Sequence, residues 1–114
     1  MDKSKGKVIL LGTEGCGSGD ATIGYEILMN LMEALAQRED CPAAIICWNT
    51  AVKLLAEGSP LLPHFKRLQD KGVRFLAGQS CVAELGLTGK IAVGTLATIH
   101  DILDLTLHNE VISL

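Results

Sequence analysis

Lys71-Gly72-Val73-Arg74-Phe75-Leu76-Ala77-Gly78-Gln79-Ser80-Cys81 holds a helix stop, a strand, a tight turn and the start of another helix. Gly72 stands where glycine closes a helix in the left-handed conformation. Val73 to Ala77 is an apolar run that reads as a buried strand, and Gly78-Gln79 reads as the turn after it. Ser80 is a good N-cap for a short helix beginning at Cys81. A strand tied this closely to helices on both sides is the repeating unit of an α/β sheet.

The same alternation extends in both directions. Lys7 to Leu11 is a near-continuous apolar run, the mark of a strand buried on both faces. Gly12 to Gly19 forms a glycine-rich loop, and Asp20 caps a long helix with Ile23, Ile27, Leu28, Leu31 and Leu35 at helical spacing. Asp40-Cys41-Pro42 ends that helix before a second buried strand, Ala43 to Trp48. Asn49 or Thr50 caps a short helix that Gly58 terminates, and Ser59-Pro60 opens a further helix running to about Lys71. Beyond the Cys81 helix the pattern predicts a short strand near Lys90 to Val93. Thr98-Ile99-His100-Asp101 has the form of a capping box for a last helix through about Leu107. Val111-Ile112-Ser113-Leu114 reads as the final strand. The expectation is one α/β domain over residues 1–114. It is a three-layer α/β/α sandwich on a parallel sheet of about five strands, with right-handed crossovers and helices on both faces.

Composition narrows the function. A chain of 114 residues supports one core, and with 48% apolar but only 4% aromatic residues that core must be aliphatic. The net charge of −3 comes without a basic cluster beyond the spaced Lys3, Lys5 and Lys7, which read as a solvated tail. A nucleic-acid surface is therefore not expected. No apolar stretch is long enough to span a bilayer, and Val8 to Leu11 is too short for the core of a signal peptide. The 4 cysteines lack C-x-x-C spacing and histidines at zinc-finger distances. No metal and no cofactor is expected, and reduced thiols in the cytoplasm are the natural state.

In parallel sheets the working residues gather at the carboxyl ends of the strands. Cys16 follows the first strand, Cys47 ends the second and Cys81 follows the third, while Cys41 belongs to the opposite edge. A thiol in the first turn of a helix faces unpaired N–H groups and the positive end of the helix dipole, which favour its nucleophilic form. Cys81 is accordingly the candidate catalytic residue. The alternative is a small apolar residue packed under the turn. Cys16, Gln79, Ser80, Asn49 and Thr50 are the candidate supporting residues. Cys16 is the rival thiol, exposed by its loop but flanked by Glu14 and Asp20, whose charge raises a thiol pKa.

Gly15, Gly17, Gly19 and Asp20 form a candidate binding loop. A P-loop would need lysine and then serine or threonine after its second glycine, whereas Ser18-Gly19 follows Gly17. A dinucleotide fingerprint would place its third glycine where Asp20 stands. A weak anion nest and a merely flexible connection both remain open. His64, His100 and His108 read as solvated, although His100 lies near the carboxyl edge.

The order of these pieces resembles the DsrE/DsrF-like (DsrEFH) sulfur-relay family, above all the C-terminal domain of YedF-type selenium-metabolism sulfurtransferase-like proteins. The landmarks are Val8-Ile9-Leu10-Leu11-Gly12 with Gly17-Ser18-Gly19-Asp20, Trp48 to Leu54, Glu57-Gly58-Ser59, Lys71-Gly72-Val73, Cys81 with Leu85-Gly86-Leu87, and Ala92-Val93-Gly94. The resemblance implies a three-layer α/β/α fold, homo- or hetero-oligomers, and a cysteine at Cys81 that carries sulfur as a persulfide. The partners would be sulfur-donor or acceptor protein thiols. YedF-like domains often carry C-G-x-C here, where this chain has Ala77-Gly78-Gln79-Ser80, and Ala83-Glu84-Leu85 replaces the aromatics that often follow. A local disulfide is excluded, which leaves a single-thiol carrier or a non-catalytic subunit. No counterpart of the thiol-rich domain that precedes this one in YedF-type proteins is expected. A small-molecule or nucleotide-binding module is the remaining alternative. A homo-oligomer is expected, with Leu61, Leu62 and Phe65 competing for limited core space.

Overall fold

The computed structural model describes residues 6–114. Lys3 and Lys5 of the expected tail lie outside the described residues. The elements are β1 (Lys7–Leu11), α1 (Ala21–Ala36), β2 (Ala44–Cys47), a 3₁₀ helix (Asn49–Leu55), α2 (Leu62–Asp70), β3 (Arg74–Gly78), α3 (Gln79–Glu84), β4 (Thr95–Ala97), α4 (Ile99–Thr106) and β5 (Glu110–Ser113). The strands form a 5-stranded sheet in the order β4-β3-β2-β1-β5, and every pairing is parallel. The Ile45 and Phe75 runs pair in parallel, as the expected parallel sheet requires, with Ile45 opposite Phe75.

Strand order and crossover hand together assign the helices to faces. From β1 to β4 the chain steps in one direction, and from β4 it returns across the sheet to β5. Right-handed crossovers then put α1, α2 and α3 on one face and α4 on the other. The buried side chains divide accordingly. Ile9, Leu11, Ile45, Cys47, Phe75 and Ala77 pack under Leu28, Met32, Leu61, Phe65, Leu68 and Val82. Val8, Ala44, Ile46, Leu76 and Ala97 pack under Ile102 of α4. These are the three layers expected.

Caps mark the helix starts where the chemistry is local. Asp20 accepts from the Ile23 N–H at 2.9 Å, and Thr98 and Asp101 form the expected capping box. Other details differ. α1 buries Gly24, Leu28, Met32 and Ala36, while Ile23 and Ile27 are exposed, because the helix meets the sheet along a stripe turned from the expected one. α2 starts at Leu62 rather than Ser59-Pro60, where the Ser59 hydroxyl accepts from the Leu61 N–H in the preceding turn. Leu61 and Phe65 are fully buried and Leu62 is half-buried against the same core, so the core takes up all three.

The fourth strand is also shifted. Lys90 to Val93 is not part of the sheet; Ile91 makes an isolated antiparallel bridge to Ala56. Gly94 at φ 91° then turns the chain onto β3, and β4 follows it. A Cβ on Gly94 would stand 2.6 Å from the Phe75 carbonyl oxygen, so the approach needs glycine.

Candidate functional site

The topology itself defines a crevice. The connection after β3 runs to the α1–α3 face and the one after β4 to the α4 face, so the carboxyl ends of these neighbouring strands part to opposite sides. Such switch points are where open α/β sheets bind and react. Cys81 sits there, in the first turn of α3.

α3 begins at Gln79 with Gly78 in the N-cap position and no side-chain cap. Ser80 is therefore inside the helix, exposed, and does not cap it as expected. The half-buried Cys81 thiol lines two grooves. One, of about 430 Å³, lies between Trp48-Asn49 and Ser80, Glu84 and Leu85. The other, of about 320 Å³, runs past Gln79 and Ser80 to Ala97, Thr98, Ile99 and Ile102 across the crevice. A Cβ at Gly78 would lie 3.4 Å from both the Cys81 Sγ and the Trp48 Cβ, which shows how closely the sulfur and the ends of β2 and β3 meet.

Asn49 supplies the polar contact. Its backbone N–H donates to the Cys81 Sγ at 3.1 Å. Asn49 is the only non-glycine residue with positive φ (52°) among the described residues, a conformation asparagine tolerates better than most. It does not cap the 3₁₀ helix with its side chain, since that position falls to Trp48, which makes no side-chain cap bond. Thr50 is half-buried and lines neither groove.

The other thiols are differently placed. Cys47 is fully buried in β2, and burial pushes its thiol up to about 12. Cys41 is buried, with its Sγ 3.3 Å from the Arg38 carbonyl oxygen. Cys16 is half-buried and borders neither Cys81 groove. Its thiol is raised, as expected, but by burial rather than by neighbouring acids. Asp20 is engaged at the α1 cap, and Glu14 lies 3.8 Å from the Lys53 ammonium. His100 is exposed and lines neither groove.

The glycine-rich loop folds back on α1. The Cys16 N–H donates to the Gly24 carbonyl at 3.0 Å, and a Cβ on Gly15 would come within 2.9 Å of the Gly24 backbone. Gly15, Gly17, Gly19 and Asp20 line a separate hollow with Glu14 and Tyr25. Its two carboxylates make it a poor seat for phosphate. Among the described residues no group of three or more His, Cys, Asp or Glu side chains gathers as a metal site would, and no helix is long and apolar enough to cross a membrane.

Trp48, Leu85, Glu84 and the far wall from Ala97 to Ile102 are site residues that sequence reasoning missed. Trp48 directly follows a strand at the carboxyl edge, a signal that was available. The far wall needed β4 in its true place.

No family model matches the chain, and no curated protein sequence does. Solved structures match its fold over nearly its whole length. The ychN protein from E. coli is 14% identical with a TM-score of 0.73, covering 96% of this chain and 99% of that one. MTH1491 from Methanobacterium thermoautotrophicum, a protein of unknown function, is 17% identical with a TM-score of 0.68, covering 95% and 97%. BT1422 from Bacteroides thetaiotaomicron, also of unknown function, is 19% identical with a TM-score of 0.66, covering 96% and 95%. At such identities the likeness speaks for the fold alone, and the chain has a DsrE-like α/β fold.

Proposed function

We propose that this protein carries sulfur on Cys81 as a persulfide and passes it to a partner thiol. The observation that supports the reading most is the setting of the Cys81 sulfur. It is half-buried at the switch-point crevice, open to two grooves, and held by the Asn49 N–H. In the loading step the Cys81 thiolate attacks the outer sulfur of a donor persulfide. The new S–S bond forms on Cys81, the donor's S–S bond breaks, and the donor leaves as a thiolate. In the unloading step an acceptor thiolate attacks the outer sulfur and Cys81 departs as the thiolate. Each exchange conserves electrons, so no redox cofactor enters. The Asn49 N–H faces the atom on which negative charge collects when Cys81 leaves, as an oxyanion hole faces oxygen.

Intact-mass analysis after incubation with a persulfide donor tests the reading. The wild type is expected to gain one sulfur atom, removable by a thiol, and Cys81→Ser to gain none. An unchanged wild-type mass would leave the chain as a non-catalytic subunit of this fold.

A further inference from the structure

The groove between the 3₁₀ helix and α3 holds more than the thiol. Cys81 and Glu84 stand three positions apart on α3, so they share a face, with Cβ atoms about 5–6 Å apart. Both line the groove of about 430 Å³, together with Trp48, Asn49, Ser80 and Leu85. Apart from Glu84, no Asp, Glu, Lys, Arg or His side chain lines either groove at the sulfur among the described residues. Nor has the Glu84 carboxylate an ion-pair partner among them. Lys53, the basic residue of the 3₁₀ helix, lies 3.8 Å from Glu14 and lines neither groove.

We propose that this groove takes the cysteine of a partner protein in an extended basic segment, with an arginine two residues from that cysteine set on Glu84 beside Trp48. The proposal rests on the sulfur-carrier reading and names the partner's chemistry. Charge is the first argument. Each exchange spreads one negative charge over three sulfurs, and a carboxylate this close opposes it. A cation that the partner brings to Glu84 relieves the repulsion, whereas an anionic low-molecular-mass thiol adds to it. The walls are the second argument. Arginine pairs with a carboxylate in a planar fork and is also the cation that most often rests against tryptophan, so Glu84 and Trp48 suit it together. Size and spacing are the third. The groove falls in the range of about 300–1,000 Å³ over which clefts enclose drug-sized ligands, far more than one cysteine side chain fills. Alternate side chains of an extended segment share a face about 6.6 Å apart, close to the separation of Cys81 and Glu84.

Thiol–disulfide exchange with activated peptides tests the docking without any persulfide. Arg-Ala-Cys-Ala-Arg and Gln-Ala-Cys-Ala-Gln each carry their cysteine as a mixed disulfide with 2-thiopyridine. In a Cys16→Ser background the Cys81 thiolate attacks the peptide sulfur and forms a new S–S bond. The old S–S bond breaks, and the leaving sulfur takes up a proton to give pyridine-2-thione, read by its absorbance. Arginine alters the peptide's own reactivity, so the preference is compared between variants, where that effect cancels. The arginine-to-glutamine rate ratio is expected to fall about three- to fivefold in Glu84→Gln and to shrink with added salt. It is expected to hold in Glu33→Gln, which removes the same charge from an exposed position on α1. A ratio that survives Glu84→Gln, or that falls equally in Glu33→Gln, overturns the proposal. So does an activated cysteamine disulfide that reacts as fast as the arginine peptide, since the groove then takes a small cation. Sulfur loading on Cys81 without an arginine preference sinks this docking alone. A Cys81 that reacts with no probe and gains no sulfur sinks the carrier reading with it.

Discussion

The backbone N–H of Asn49 meets the Sγ of Cys81 at 3.1 Å, although the two residues are 32 positions apart in the sequence. The contact joins the end of β2 to the first turn of α3. It depends on a left-handed residue at the mouth of the 3₁₀ helix.

Asn49→Gly keeps both the conformation and the amide, and is expected to keep wild-type transfer from loaded Cys81 to a small thiol. Asn49→Val strains the left-handed position by roughly 1–2 kcal/mol. It also shifts the amide, and losing a hydrogen bond to a charged group, worth about 1.5–3 kcal/mol, slows departure of Cys81 about tenfold or more. Stopped-flow transfer rates, beside urea melts, separate the two effects. Equal slowing in Asn49→Gly would move the role to the side chain.

Peptide mapping at limiting iodoacetamide near neutral pH is expected to find Cys81 modified first. Cys16 should follow more slowly, because burial raises its thiol, and its rate should climb as the solution is made alkaline. Cys47, fully buried and pushed up to about 12, should stay unlabelled until the chain unfolds. Faster labelling at Cys16, or silence at Cys81, removes the residue on which the carrier reading rests.

The α4 capping box links stability to pH. The Thr98 N–H donates to the Asp101 carboxylate at 2.9 Å, and this bond, with the Thr98 side chain, holds that carboxyl below its usual value. A lowered folded pKa stabilises above the unfolded value, and the benefit is lost as pH falls through the folded one. Asp101→Asn should therefore flatten the acid limb of a plot of stability against pH. Thr98→Ala should cost about 1 kcal/mol at neutral pH. Denaturant melts across the acid range check both.

Gly94→Ala is expected to destabilise by more than about 1–2 kcal/mol, because the new Cβ is strained at φ 91° and lies on the Phe75 carbonyl. β4 should lose its seat on β3 and take the far wall of the crevice with it. Urea melts with Cys81 labelling rates should move together; a neutral substitution would mean the strand is held elsewhere.

Much of the local chemistry was legible in the sequence, though not the starts of α2 and α3 expected at Ser59 and Ser80, and relations across space were not. The buried runs of β1, β2 and β3, the Asp20 cap and the Thr98–Asp101 box follow from neighbouring residues, and each stands where its pattern points. β4 was misplaced because Ile91-Ala92-Val93 carries the better strand signal, while the true strand is short and follows a turn that only the Phe75 contact explains. Without β4 beside β3 there was no switch point, and Thr98 and Ile99 had no reason to face a cysteine. The position of Asn49 after β2 marks it as a site residue, but its amide serves a sulfur that tertiary packing delivers. Leu61 and Phe65 look like surplus until α2 is docked.

The unequal layers on the sheet set an order of opening. On the α4 side, the buried residues are Val8, Ala44, Ile46, Leu76, Ala97 and Ile102, and all of β5 is exposed. Regions with few buried contacts reach the exchange-competent state by partial unfolding, at a lower free energy than the whole molecule. Amides of α4 and β5 should therefore take up deuterium before those of α1 and β2. Because Thr98 and Ile99 at the start of α4 wall the crevice, each such excursion widens it at Cys81 while the opposite layer stays folded. Of the two grooves at the sulfur, the one walled by α4 then widens with the breathing of the thinner layer, while the one beside Trp48 and Leu85 keeps its shape.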